Sequence, residues 1–306
     1  MIKNVRTGTR ESPLAMAQAH IAAALIRGRS VYEPVITGIR SMGDKNLITP
    51  LYEMGVEGVF TRELDSALLN HEIDIAVHSY KDVPTIPAAG LCVAAVLERA
   101  TALDVLVFRN EESRLRLRRN APVHIASSSI RRKAQWLHRY PQSVLYNIRG
   151  NVGTRLHKLQ DAHWDGAIFA AAGLERLQLS ESDTGPCELL HWMLPAPAQG
   201  AIAILCREDD EAMQQLCALL NHTPSRICTE TEKLFLRQLG GGCSTPVAAF
   251  ATITGNTLTL NGNITAIDGS HQLTVQLSGI TTEYKVLASE AARQLIARGA
   301  HQLLTA

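Results

Sequence analysis

Strand-like and helix-like segments alternate along most of this chain, and that alternation restricts the folds it can form. Short apolar stretches at 73–77, 123–126 and 166–170 are typical of buried strands, and helical patterns occur between most of the strand-like stretches of 5–100 and 104–194. Because two parallel strands must be joined by a crossover connection, usually a helix, the alternation predicts mostly parallel sheets covered by helices. Ligands of such sheets bind beyond the carboxyl ends of the strands.

The C-terminal part follows a different pattern. Segments 246–254, 257–264 and 272–277 alternate with a two-residue period, with turn-forming residues between them. A helix from about 289 to 304 is expected to close the chain. This predicts a small α+β unit with a three-stranded antiparallel sheet. A length of 306 residues is enough for two or three domains.

Composition excludes several classes of protein. The net charge is +1, whereas nucleic-acid binders usually carry a strong basic excess. No apolar run reaches membrane-spanning length, and Gln18 and His20 interrupt the apolar stretch that a secretory signal would need. The six cysteines form no CxxC pair, which argues against a zinc site. We therefore expect a cytoplasmic protein without metal that binds neither nucleic acid nor membrane.

Hydroxyl and guanidinium groups are concentrated where two predicted strands run into helices. Helix N-termini attract anions, and arginine matches a carboxylate with two parallel hydrogen bonds. Any one of these arginines alone would be typical of a solvated helix face. Their recurrence at two junctions favours a site for a polyanionic ligand, and the residues are Ser127, Ser128, Ser129, Arg131, Arg132, Arg149 and Arg155.

Two further features have both a structural and a functional interpretation. Cys243 follows three glycines, so it is either a small residue in a tight turn or an exposed thiol that serves as nucleophile or attachment point. Lys81 and Asp82 leave the end of the strand at 73–77. They are either a solvated turn pair or a site where a carboxylate stabilises a cation or moves a proton.

Taken together, these motifs resemble the porphobilinogen deaminase (hydroxymethylbilane synthase) family. Each motif alone has low specificity, but together they occur in family order and at family spacing across nearly the whole chain. They are TRESPLA (9–15), DIAVHSYKDVP (74–84), SSIRR (128–132), RGNVGTR (149–155), AGLERL (172–177), QGA (199–201) and GGC (241–243).

The resemblance implies an α/β fold. Two domains would be like type II periplasmic binding proteins, with mostly parallel sheets covered by helices. A small C-terminal α+β domain with a three-stranded antiparallel sheet would carry the cofactor cysteine. The implied boundaries are 1–99 completed by 199–219 for the first domain, 100–198 for the second and 220–306 for the third. We also expect a monomer.

The implied activity is a transferase reaction of tetrapyrrole and heme biosynthesis. Four porphobilinogen units are joined head to tail, with release of ammonia, into the linear hydroxymethylbilane. The implied cofactor is dipyrromethane, one per chain, held through a thioether at Cys243. Lys81 and Asp82 would be catalytic, and Asp82 would stabilise the cation left when ammonia departs.

The family pattern also implies which residues hold the carboxylates of cofactor and substrate. Those expected to bind the cofactor are Cys243, Lys81, Asp82, Ser127, Ser128, Ser129, Arg131, Arg132 and Arg155. Those expected to bind porphobilinogen and the growing chain are Arg10, Ser12, Arg149, Arg155, Arg176 and Gln199.

Some positions depart from the family pattern. Glu53 and Glu57 lie in the predicted lid loop 43–60, where lysines are usual, and Glu175 also replaces a usual lysine. Ala126 replaces a glycine, and Pro197-Ala198 replaces an apolar-Gly pair before Gln199. These departures leave two alternatives open, a divergent paralogue with reduced activity and a non-enzymatic protein that binds small anions.

Overall fold

The computed structural model describes residues 3–41, 60–242 and 245–304. The strands are β1 Lys3–Arg10, β2 Tyr32–Ile39, β3 Ile75–Ser79, β4 Leu91–Val96, β5 Asp104–Phe108, β6 His124–Ala126, β7 Val144–Tyr146, β8 Gly166–Ala170, β9 Cys187–Leu189, β10 Ile202–Arg207, β11 Val247–Thr254, β12 Thr257–Thr265 and β13 Gln272–Ile280. The helices are α1 Pro13–Arg29, α2 Arg62–Leu69, α3 Glu111–Arg118, α4 Ile130–Arg139, α5 Val152–Asp161, α6 Ala171–Arg176, α7 Glu181–Thr184, α8 Glu211–Ala218, α9 Thr223–Gln238, α10 Tyr284–Ala297 and α11 Ala300–Leu304.

The first sheet has five strands in the order β2-β1-β3-β10-β4. β1 pairs in parallel with β2 and β3, whereas β10 runs antiparallel to both β3 and β4. All six residues of β10 are buried, so this strand, far away in sequence, fills the middle of the sheet. Because β4 and β10 are antiparallel neighbours, the segment that leaves β4 and the segment that enters β10 are close together.

The second sheet repeats this plan in the order β7-β6-β8-β5-β9. β6 pairs in parallel with β7 and β8, and β5 runs antiparallel to β8 and β9. Two connections, 97–103 and 190–201, join the two α/β units. The carboxyl ends of β3, β6, β7 and β8 deliver the site residues described below.

The third unit is an antiparallel sheet in the order β11-β12-β13, covered by α9 and α10. The tip of the Phe235 ring packs against the sheet at Gly262, where an added Cβ would meet Cζ of the ring at 2.5 Å. This close approach of helix to strand explains the glycine there. α9 then ends at Gln238 and leads into the glycine run before Cys243.

The predicted fold class is confirmed, with two differences of detail. The two large sheets are mixed, because β10 and β5 run antiparallel to both of their neighbours. The closing helix begins at Tyr284 and is divided at Gly299, whose φ of 92° ends α10. The domain boundaries themselves stay a prediction. Within the described ranges, none of the helices combines the length and the apolar character needed to cross a bilayer.

Candidate functional site

Lys81 and Asp82 lie in a short 3₁₀ turn, Tyr80–Asp82, that directly follows β3. The turn is anchored by the backbone, since Tyr80 N donates to Ala201 O at 3.0 Å. Lys81 Nζ donates to Gln199 Oε1 at 3.4 Å. Burial lowers the pKa of Lys81 to about 8, although the charge of Asp82 opposes this shift. A partly buried ammonium of this kind favours the approach of an anion.

Asp104, at the start of β5, is fully buried and binds two of the predicted arginines. Arg132 donates to Asp104 Oδ1 from Nε at 3.1 Å and from Nη2 at 2.8 Å. Arg131 Nη2 lies 2.7 Å from Asp104 Oδ2, as an ion pair without hydrogen-bond alignment. Burial alone would raise the pKa of Asp104, but the charges of Arg131 and Arg132 outweigh it and hold this pKa well below its usual range. The carboxylate therefore fixes both guanidinium groups in place.

The three serines have different roles in the structure. Ser128 Oγ donates to Ile148 O at 2.8 Å and accepts from Ile148 N at 2.9 Å, which ties the ends of β6 and β7 together. Ser129 is the N-cap of α4, with Oγ accepting from Arg132 N at 3.4 Å. Ser127 is buried, and its Oγ accepts from Ser129 N at 3.3 Å. These hydroxyls thus build the loop, whichever ligand contacts they also make.

Arg149 lies between β7 and α5, and Arg155 lies in the first turn of α5. Arg155 Nε donates to Gly150 O at 2.8 Å. Burial, together with the charges of Arg132 and Arg149, lowers the pKa of Arg155 to about 10, although the charge of Asp82 opposes this shift. Burial also lowers the pKa of Arg149. The electrostatic effects of Arg132, Arg149 and Asp82 on Arg155 show that these four charged groups lie in one region.

Three further predicted residues come from the end of β1, the start of α1 and the end of α6. Arg10 ends β1 and lies 4.1 Å from the ring centroid of Phe60, and Ser12 caps α1 by accepting from Ala15 N at 3.3 Å. Arg176 Nη2 donates to Gly200 O at 2.6 Å. Burial lowers the pKa of Arg176 to about 10.

Gln199 is fully buried and acts as a link between the two halves of the site. Its Nε2 donates to Asp104 Oδ1 at 2.8 Å and to Ala102 O at 2.7 Å, while its Oε1 accepts from Lys81. The amide therefore orients Lys81 toward the Arg131–Arg132 cluster. A direct contact of Gln199 with substrate stays a prediction.

The electrostatics of this site suit a ligand with several carboxylates. Cations outnumber carboxylates, and burial disfavours the charged forms of Lys81, Arg131, Arg149, Arg155 and Arg176. In the described part of the chain, the buried Arg131 Nε has no hydrogen-bond partner. A bound anion would offset the excess of buried positive charge and would accept a hydrogen bond from Arg131 Nε. The residues present therefore fit dipyrromethane, whose pyrroles carry acetate and propionate groups.

Some predicted residues fall outside the structure's described ranges. Cys243 is one of them, as are Glu53, Glu57 and most of the lid loop 43–60. Glu175 is described and is exposed beside Arg176.

Two residues that organise the site have little signal in the sequence. Asp104 stands at the start of an apolar run, and this position is the available signal for a buried, paired carboxylate. Glu232 lies on α9 and binds Arg99 through two hydrogen bonds of 2.7 and 3.0 Å. Its pattern in the sequence is that of an ordinary helical carboxylate.

Two similar α/β units that meet at a buried cationic site define a two-lobed protein built to hold a polyanionic ligand. Solved structures with similarity to this chain include the methionine binding protein MetQ, with 10% identity over 71% of this chain and 89% of that chain and a TM-score of 0.44. Another is the periplasmic VFT2 domain of Bordetella pertussis BvgS, with 12% identity over 71% and 86% and a TM-score of 0.42.

The chain belongs to the porphobilinogen deaminase family. Residues 5–215 match the family model described as porphobilinogen deaminase, dipyromethane cofactor binding domain, and residues 226–297 match that of the porphobilinogen deaminase C-terminal domain. The porphobilinogen deaminase of Geobacter metallireducens is 40% identical over 99% of this chain and 94% of its own length. That of Chromobacterium violaceum is 41% identical over 97% and 96%.

Proposed function

We propose that this chain joins four porphobilinogen units head to tail, with release of ammonia, to give hydroxymethylbilane, and that Cys243 carries the dipyrromethane primer. The observation that supports this most strongly is the buried cation cluster around the Lys81–Asp82 turn, in a chain of this family. When bound, the primer would supply the pyrrole carbon to which the first unit is joined, and each later unit would be joined to the free end of the growing chain.

The residues of the site divide the work between charge neutralisation and catalysis. Arg131 and Arg132, fixed by Asp104, would bind carboxylates of the primer together with Lys81 and the 127–129 loop. Arg149, Arg155, Arg10 and Arg176 would bind those of the substrate and the growing chain. Asp82 would accept a hydrogen bond from the pyrrole N–H and stabilise the substrate cation that forms as ammonia leaves.

Intact mass and ammonia release test this proposal together. We expect the purified parent protein to exceed its sequence mass by one dipyrromethane, and the Cys243→Ser variant to lack that excess. Parent protein should also release ammonia from porphobilinogen. A mass excess without ammonia release would indicate a divergent paralogue. Absence of both, in protein from a host that makes porphobilinogen, would indicate an anion-binding protein.

The arginines of the cluster should matter more than those on the exposed end of α3. Replacing Arg155 by methionine removes a partly buried donor that would bind a carboxylate of the substrate, a bond worth about 1.5–3 kcal/mol. We expect KM for porphobilinogen to rise by about tenfold or more in loaded enzyme. Arg118, which is exposed, is the matched control, and Arg118→Met should leave KM unchanged. Equal losses in the two variants, measured by steady-state kinetics, would contradict the assignment.

We also propose that the protein is a cytoplasmic monomer. The described cysteines, Cys92, Cys187, Cys206, Cys217 and Cys228, are free thiols, as expected in a reducing compartment. The large exposed apolar residues of the described surface are distributed over many different elements. Sedimentation at several protein concentrations would test the monomeric state.

A further inference from the structure

A buried lysine of the third unit holds the turn that carries Asp82. Lys233, on α9, is 7% exposed. Its Nζ donates to Val83 O at 2.6 Å and to Tyr80 O at 3.3 Å. These two carbonyls stand on either side of Lys81 and Asp82, so one ammonium group binds both ends of the turn.

The contact is reciprocal, because Tyr80 packs against the same helix. Its ring is 4% exposed, and Lys233 Nζ lies 4.8 Å from the ring centroid. Burial raises the pKa of the Tyr80 hydroxyl above its usual range, and the nearby charge of Glu230 on α9 raises it further. The turn and α9 therefore hold each other through a side chain from each.

Besides Lys233, the turn is held by the hydrogen bond from Tyr80 N to Ala201 O, at 3.0 Å, and by that from Lys81 Nζ to Gln199 Oε1, at 3.4 Å. Within it, the backbone makes the single 3₁₀ hydrogen bond from Val83 N to Tyr80 O, at 3.2 Å. A 3₁₀ turn of this length has poor hydrogen-bond geometry. A buried ammonium is costly unless several acceptors compensate it. Because the turn supplies those acceptors, the Lys233 ammonium holds the turn against α9.

We propose that Lys233 is a positioning residue for the reaction, setting Asp82 at a fixed place relative to α9. This helix ends at Gln238 and leads through the glycine run to Cys243, so Lys233 connects the catalytic turn with the helix before the cofactor attachment point. The inference rests on the proposed catalytic role of Asp82. A displacement of about 1 Å at a reacting group can cost about a hundredfold in rate.

The test compares Lys233→Met, which keeps the side-chain length and removes the donors, with the conservative Lys233→Arg. Arg237→Met is the control, because Arg237 is exposed on the same helix. In protein loaded with cofactor, as verified by mass, we expect Lys233→Met to lower kcat by about tenfold or more, with KM changed less than about twofold. Lys233→Arg should restore most of kcat, and Arg237→Met should match the parent.

A second measurement reads the position of the turn without catalysis. Hydrogen exchange of the amides of Lys81, Asp82 and Val83 should be faster in Lys233→Met than in the parent and in Arg237→Met. A structural comparison is Phe235→Leu, which disturbs the core of the third unit from the same helix. That variant should lower stability without a selective change in kcat or in exchange at the turn.

The outcomes separate this inference from the proposed function. Unchanged exchange at the turn in Lys233→Met, or a loss of kcat no larger than in Phe235→Leu, would overturn the positioning role. A parent protein that releases no ammonia would instead overturn the proposed function. Should Lys233→Met fail to fold, Lys233→Gln, which keeps an amide donor, is compared with Lys233→Arg by the same two measurements.

Discussion

Asp82→Asn should lower kcat for ammonia release by about a hundredfold or more, with the cofactor still attached. The substitution keeps the shape and removes the negative charge. A carboxylate that stabilises a developing cation, or moves a proton at the reacting group, typically contributes factors of about 10²–10⁴. Single-turnover measurement of ammonia release from loaded protein gives the effect on chemistry without the contribution of product release.

A matched control and a loading assay make this prediction specific. Asp209 is an exposed carboxylate beyond the end of β10, and Asp209→Asn should behave as the parent does. Intact mass must show the same cofactor content in both variants, since Asp82 is also a predicted cofactor contact. If fully loaded Asp82→Asn turned over like the parent, Asp82 would not be the catalytic carboxylate.

The candidate site could be predicted from sequence where its residues follow strand ends. Lys81, Ser127 and Arg149 each lie within about three residues of the carboxyl end of a strand, and the parallel strands of one sheet bring their carboxyl ends to one edge. Local capping chemistry was equally readable, because Ser129 precedes a helical pattern and does cap α4. Short-range signals of this kind were enough to place most of the cluster in one region.

Long-range partners could not be predicted in the same way. Asp104 binds arginines 27 and 28 positions further along the chain, as 131 − 104 and 132 − 104 show. Lys233 binds carbonyls of a turn more than a hundred residues earlier. Nothing in the local pattern of a strand or an amphipathic helix encodes such pairings. The direction of β10 and β5 was missed for the same reason, because an apolar run has no signal for parallel or antiparallel pairing.

The second large effect is expected at Glu232, where the three units meet. This side chain is fully buried and accepts four hydrogen bonds. Two come from Arg99, which precedes β5, at 2.7 and 3.0 Å. Ala198 N and Ala251 N each donate at 2.7 Å, from the connection before β10 and from β11 of the third unit. One carboxylate thus joins both connections between the α/β units to the C-terminal sheet.

The backbone conformation of Ala198, in the connection before β10, depends on the Glu232 carboxylate. Its φ is 62°, in the left-handed region that favours glycine, at a cost of roughly 1–2 kcal/mol for a residue with a Cβ. The hydrogen bond from Ala198 N to Glu232 holds the backbone there and places Gln199 next to Asp104. Loss of the Glu232 carboxylate should therefore disturb the functional site as well as lower the stability of the fold.

Glu232→Gln should lower the free energy of unfolding by about 3–5 kcal/mol, because it leaves the buried Arg99 without a counter-charge and turns an amide N–H₂ toward other donors. Arg99→Met should cost a similar amount, and the double variant should lose less than the sum of the two, since both remove one interaction. Urea denaturation followed by circular dichroism measures these changes. The control is Glu290→Gln, which breaks the exposed pair with Arg293 and should change stability little. Additive losses in the double variant would show that Arg99 and Glu232 stabilise the protein independently, and not as the ion pair that joins its three units.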